Sequence, residues 1–154
     1  MAVYFVDSSA LVKRYISETG STWVLSLFNP ALNNNVLIAA ITGVEIVAAI
    51  TRRARGGSIS ATDATAACSQ FRSDLESEYQ VVEITDSIIN SAMALAETLG
   101  LRGYDAVQLA AGCEINALCI ASSLSPVTFV SADDELNKAA ASEGLLIENP
   151  NDYL

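Results

Sequence analysis

Met1-Ala-Val-Tyr-Phe-Val-Asp7-Ser8-Ser9-Ala-Leu-Val-Lys13 opens the chain. Val3 to Val6 is a short β-branched and aromatic run without Gly or Pro, the pattern of a strand buried on both faces. It ends in an aspartate. Leu11, Val12, Tyr15 and Ile16 then recur at helical spacing, so a helix starts within two residues of Asp7. A strand that stops at a carboxylate and turns at once into a helix places that carboxylate at the carboxyl edge of a sheet, where open α/β sheets bind ligands. The plainer reading is that Asp7 or Ser8 caps the helix.

The alternation continues along the chain. Gly20-Ser21 restarts a helix with Trp23, Val24, Leu27 and Phe28 on its apolar face, and Asn29-Pro30 stops it. After the turn signal Asn33-Asn34-Asn35, Val36 to Ala39 reads as a second strand. Thr42-Gly-Val-Glu45 opens a long helix through Ile46, Val47 and Ile50 to Arg52, Arg53 and Arg55, closed by Gly56-Gly57. Ser60-Ala-Thr-Asp63 starts another. Val81 to Ile84 is a third strand, and Thr85-Asp86 caps a helix that ends at Gly100. Leu101 to Asp105 reads as a connector into a helix from Ala106, whose Ala and Gly content implies close packing on the sheet. Val127 to Val130 is the fourth strand, Ser131-Ala-Asp133-Asp134 leads a short helix to Gly144, and Leu145 to Ile147 is an edge strand. Such alternation predicts one α/β domain over residues 1–154, built on a mostly parallel sheet of about five strands.

Composition narrows the chemistry. The 154 residues are 51% hydrophobic and 17% charged, enough to bury a sizeable core. No apolar stretch is long enough to span a bilayer. Met1 leads straight into the first strand without a basic region or cleavage site, so no signal peptide is expected. Cys68, Cys113 and Cys119 are odd in number and lack C-x-x-C spacing; they read as small hydrophobes in a reducing, cytoplasmic setting. The absence of histidine excludes Ser-His-Asp, Cys-His and His-ligated zinc sites. Catalysis therefore falls to carboxylates, hydroxyls, Lys or Arg. The net charge of −10 argues against a protein that coats nucleic acid. It is compatible with a nuclease whose carboxylates attract phosphate once divalent cations fill them. Lys13-Arg14 and the Arg52, Arg53, Arg55 group are the candidate contacts for a phosphate backbone, and both also read as solvated helix ends.

Four carboxylates stand where strands end or helices begin: Asp7, Glu45, Asp105 and Asp133. Singly, each has a structural reading. Glu45 lies three residues after Thr42 and fits a capping box, and Asp105 and Asp133 suit helix N-termini. Jointly, they gather at the one edge that strand ends share in a parallel sheet. Clustered carboxylates repel unless a cation is present, and oxygen donors without His or Cys suit Mg²⁺ or Mn²⁺. That is the arrangement of metal-assisted phosphodiester hydrolysis.

The apolar strand with Asp7-Ser8-Ser9-Ala-Leu-Val-Lys13, the Thr42-x-x-Glu45 helix, Arg102-Gly-Tyr-Asp105-Ala-Val-Gln-Leu-Ala and Val130-Ser131-Ala-Asp133 together resemble the successive motifs of PIN-domain proteins. The nearest likeness is to the small VapC-type toxins of toxin–antitoxin pairs. Each motif alone is weak; four in order, across nearly the whole chain, are fairly specific. The resemblance implies a Rossmann-like, three-layer α/β/α sandwich, Mg²⁺- or Mn²⁺-dependent endoribonuclease activity on RNA, a homodimer, and a cognate antitoxin that masks the site. It also implies that Asp7, Glu45 and Asp105 are metal-site acids, that Asp133 is the more variable fourth, and that Ser9 and Ser131 support them. Asp134 and Glu135 follow Asp133 directly; Asp133 is preferred because it lies closer to the strand end. Two other readings stand beside this one: a Mg²⁺-dependent phosphatase with an acidic pocket, and a catalytically degenerate fold serving as a protein-binding module. A receiver domain is disfavoured, since it wants paired acids after the first strand and a Lys after the last.

Overall fold

The computed structural model describes residues 1–154. Its elements are β1 (Val3–Val6), α1 (Ser8–Leu11), α2 (Ser21–Ser26), β2 (Asn35–Ala39), α3 (Thr42–Arg55), α4 (Ala61–Ser77), β3 (Gln80–Val82), α5 (Asp86–Leu99), α6 (Gly103–Ala121), β4 (Val127–Val130), α7 (Asp134–Ser142) and β5 (Leu146–Glu148). The five strands form one sheet in the order β3-β2-β1-β4-β5, with every pair parallel. All strand C-termini therefore share one edge. The two outermost strands have three residues each, which leaves little edge to pair with another chain.

Strand alternation sends side chains to two separate cores. Phe5, Leu37, Ala39, Val127 and Phe129 face α5, α6 and α7, where they meet Ile88, Leu109, Ala110, Ala111 and Leu136. Val6, Val36, Ile38 and Val130 face the other way, against Leu11, Ile46, Ile50 and Phe71 from α1, α3 and α4. This is the three-layer α/β/α sandwich. The small-residue helix does lie close on the sheet: a Cβ at Gly112 would meet the Phe129 ring at 3.0 and 3.2 Å. Gly20, with φ of +88°, is the tightest approach; a Cβ there would lie 2.4 Å from the Pro150 carbonyl oxygen, so only glycine fits both the backbone angle and the space.

Several boundaries differ from the sequence expectation. The first helix makes one turn and tightens into a 3₁₀ turn over Val12–Arg14, where the Tyr15 amide returns to the Val12 carbonyl three residues back. The third strand spans Gln80–Val82 rather than 81–84. The helix expected from Ala106 begins at Gly103, directly after an extended Arg102, so Asp105 lies in its first turn and not in a connector. No helix is long and apolar enough to cross a membrane.

Candidate active site at the carboxyl edge of the sheet

Asp7 follows Val6, which pairs with Val130 on the neighbouring strand, so Asp7 and Ser131 leave the sheet side by side. The Asp7 amide donates to the Val130 carbonyl at 3.0 Å, extending the ladder by one residue. The side chain is buried, with 3% of its surface exposed. Its Oδ1 accepts from Ser9 Oγ at 2.7 Å and from the Ala10 amide at 3.0 Å, and its Oδ2 accepts from Ser131 Oγ at 2.6 Å. Asp7 is thus the N-cap of α1, as the plainer reading held. A carboxylate accepts at about four positions, so these three bonds leave one lone pair free. Burial pushes the Asp7 carboxyl from 3.8 up to about 6; the bonds from Ser131, Ser9 and Ala10 oppose that shift, and the nearby charge of Asp105 adds to it.

Ser9 and Ser131 do more than hold Asp7. Ser9 Oγ accepts from the Ala132 amide at 2.9 Å, and Ser131 Oγ accepts from the Asp133 amide at 3.1 Å. The buried Asn137 side-chain amide donates to the Ser131 carbonyl at 2.8 Å. The loop carrying the fourth acid is therefore hydrogen-bonded to the first. Asp133 Oδ1 caps α7, accepting from the amides of Glu135 and Leu136. Asp134 turns away, accepting from Asn149 Nδ2 at 2.9 Å.

Glu45 lies in the first turn of α3 and Asp105 in the first turn of α6. The expected capping box is absent. Thr42 is a helical residue, its side chain is fully buried, and its Oγ1 accepts from Gln108 Nε2 at 2.8 Å. Gln108 Nε2 also donates to Tyr104 Oη at 2.7 Å, and Tyr104 Oη donates to Ser8 Oγ at 3.0 Å. This chain joins the residue after Asp7, the residue before Asp105 and the helical turn that holds Glu45. Sequence reading did not assign it a role. The available signal was the i, i+4 spacing of Tyr104 and Gln108, which puts both polar side chains on one face of a helix rich in Ala and Gly.

Asp105 sits among like charges. Burial raises its carboxyl, Asp133 and Glu45 raise it further, and Arg102 opposes them. Tyr104 is raised by burial, with Glu45 again adding. None of Asp7, Glu45, Asp105 or Asp133 forms an ion pair with Lys or Arg. The four acids share one field, yet no three of them converge closely enough to form a ready ligand set for a metal ion. An oxygen-only group with uncompensated negative charge fits a hard cation by donor chemistry.

Lys13 and Arg14, expected to contact a phosphate backbone, are engaged inside the fold. Lys13 is 6% exposed and bonds Glu18 at 3.1 Å, and Glu18 also takes Arg53 at 2.8 Å. Arg14 lies over the Phe28 ring at 3.7 Å, donates to Tyr79 Oη at 2.9 Å and pairs with Asp74 and Glu78. Tyr15, which hydrogen-bonds Tyr79 and Asp74, completes that cluster. Their partners come from the segment before α2 (Glu18), the segment after it (Phe28), and α4 with the residues that follow it (Asp74, Glu78 and Tyr79).

No family model and no curated protein sequence matches the chain. Among solved structures it is similar to PAE2754 from Pyrobaculum aerophilum, at 21% identity and a TM-score of 0.60 over 95% of this chain and 83% of that one. It is also similar to a toxin–antitoxin complex from Klebsiella pneumoniae, at 16% identity and a TM-score of 0.54 over 86% and 87% of the two chains. A third is VapBC2 from Rickettsia felis bound to a DNA fragment from their promoter, at 16% identity and a TM-score of 0.57 over 96% and 98%. At these identities the likeness establishes the fold, and that fold is the PIN-like sandwich its motifs resemble.

Proposed function

We propose that the chain is a divalent-metal-dependent endoribonuclease and the toxin of a toxin–antitoxin pair, acting in the cytoplasm as a homodimer. The observation that carries this reading is the set of acids at the carboxyl edge without an ion-pair partner, in which Asp7 is buried and Asp105, raised by burial and by Asp133 and Glu45 against Arg102, feels the charge of its neighbours. Asp7 and Asp133 also cap α1 and α7, but burial and like charge both oppose keeping four such acids ionised together. The antitoxin partner rests on the fold shared with a toxin–antitoxin complex.

Asp7, Glu45, Asp105 and Asp133 would hold Mg²⁺ or Mn²⁺. Such an ion supplies a Lewis acid to a phosphodiester and lowers the pKa of water. The chain's own part is positional. Ser9, Ser131 and the Ala10 amide fix both oxygens of Asp7, and Gln108 with Tyr104 sets α3 and α6 against the first strand. Asp7 is buried and held by three hydrogen bonds, whereas Glu45, Asp105 and Asp133 are half-exposed and would be the freer of the four to turn towards an ion. Incubation of single-stranded RNA with the protein in Mn²⁺ or in EDTA tests the reading. Cleavage in Mn²⁺, its loss in EDTA and its loss in Asp7→Asn are expected; cleavage that survives EDTA would contradict it.

A further inference from the structure

A cleft of about 520 Å³ opens beside the acidic edge, between the α5–α6 corner and α7. That is an ordinary size for a ligand site. Only three of its ten lining residues are hydrophobic, and both Asp105 and Asp133 reach it. Arg102 and Lys138 line it as well. Of the chain's eight basic residues, Lys13, Arg14 and Arg53 are held in ion pairs. Arg102 and Lys138 are exposed and form no ion pair, and they alone among the basic residues share a cleft with two of the acids.

We propose, resting on the ribonuclease reading, that this cleft is the RNA-binding site, with Arg102 and Lys138 holding backbone phosphates next to the one that is cleaved. Arg102 enters from the extended residue ahead of α6, where the following helical amides also favour an anion. Lys138 stands one turn into α7, and helical side chains lean towards the N-terminus, which here means towards Asp133. Guanidinium and ammonium groups are suited to this contact, the first as a fork and the second as a point charge. Lys13 and Arg14 have no part in it.

Charge decides when the cleft accepts RNA. Glu135 lines it too, so three carboxylates face two cations and the bare lining is net negative. One divalent cation reverses that sign. RNA should therefore bind only with a divalent ion present, including Ca²⁺, which coordinates oxygen more loosely than Mg²⁺. Outside the cleft the protein's negative field repels phosphate, so loss of these two contacts should be visible against a low background.

Fluorescence polarisation of a labelled single-stranded RNA in Ca²⁺, across a salt series, tests the proposal. A single-strand phosphate contact adds about 0.7 to the slope of log K on log salt, so Arg102→Ala with Lys138→Ala should lower the slope by roughly 1.4. Affinity at low salt should fall about tenfold or more for two lost charge contacts. Arg52→Ala with Arg55→Ala, at the far end of α3, should leave both unchanged, and Arg102→Lys with Lys138→Arg should keep the slope. Thermal melts of each variant check that it is folded. Wild-type binding with an unchanged slope in the Arg102/Lys138 variant would overturn the assignment and leave the ribonuclease reading intact. No RNA binding by the wild type with Ca²⁺ would overturn both.

Discussion

Ser131 Oγ donates to Asp7 Oδ2 at 2.6 Å, joining two residues 124 positions apart at the ends of adjacent parallel strands. The same oxygen accepts from the Asp133 amide at 3.1 Å. Ser131→Ala therefore breaks two bonds, one of them to a buried charge, and leaves Asp7 Oδ2 and the Asp133 amide without a partner while Asp7 Oδ1 keeps Ser9 and the Ala10 amide. A loss of about 1–3 kcal/mol in stability at neutral pH is expected, together with roughly 10–100-fold weaker Mn²⁺ binding. Urea melts and calorimetry on one preparation check it. Unchanged metal affinity would make Ser131 purely structural.

The Asp7 carboxyl gives a pH signature in metal-free protein. Burial raises it from 3.8 to about 6 when folded, so the folded state binds the proton more tightly. The associated stability is fully present below the unfolded value and is lost as pH rises through about 6. The difference corresponds to about 3 kcal/mol. Asp7→Asn cannot ionise, so in EDTA it should be the more stable protein at pH 7.5, and its advantage over wild type should shrink between pH 6 and pH 4. Denaturant melts of both proteins across that range decide the matter. Parallel curves would mean Asp7 is not held in a costly ionised state.

Arg14 sits between Phe28, Tyr79, Asp74 and Glu78. Arg14→Ala strips a partner from buried Asp74 and removes the cation from the ring face. Breaking a pair of this kind costs about 3–5 kcal/mol, reduced here by the remaining bonds from Tyr15 and Gln70 to Asp74. The melting temperature should fall markedly while the salt dependence of RNA binding stays as in wild type. A changed salt slope in a folded Arg14 variant would restore it as a phosphate contact.

Gln108 is fully buried and donates to both Thr42 and Tyr104, while its Oε1 has no partner. Gln108→Leu removes the two donors along with that orphaned oxygen, so the stability change should be small, about 1 kcal/mol. The links that set α3 and α6 against β1 are lost, so cleavage should drop more than stability does. An accompanying fall in Mn²⁺ affinity is the readout that mere packing would not produce. Full activity with normal metal binding would remove Gln108 from the positioning network.

The layered fold was legible because its signals are local. Val3 to Val6 and Val127 to Val130 are short apolar runs, Thr85 and Ser60 are caps with their hydroxyls on the third residue ahead, and Gly100 ends α5 with φ of 67°. The four acids stood out for a related reason, since each sits at a strand end or in a first helical turn. Partners across long sequence separations were not legible. Nothing in Lys13-Arg14 announces Glu18, Phe28 or Asp74, so two adjacent cations read as a surface strip. Gln108 read as one polar residue in a small-residue helix, and its contact with Thr42 spans 66 positions. Lys138 carries no signal in the sequence, since only the fold brings α7 and Arg102 to one cleft.

Titration of Mn²⁺ into metal-free wild type and Asp7→Asn, read by calorimetry and by melting temperature, bears on whether the acids at the sheet edge form a cation site. Binding only to the folded state at about 100 times Kd contributes about 2.7 kcal/mol, which raises the melting temperature of a chain this size by roughly 5–10 °C. Wild type should show both the heat and the shift, and folded Asp7→Asn should show neither. Millimolar Mn²⁺ that leaves the wild type without heat or shift would contradict the cation site and the ribonuclease reading built on it.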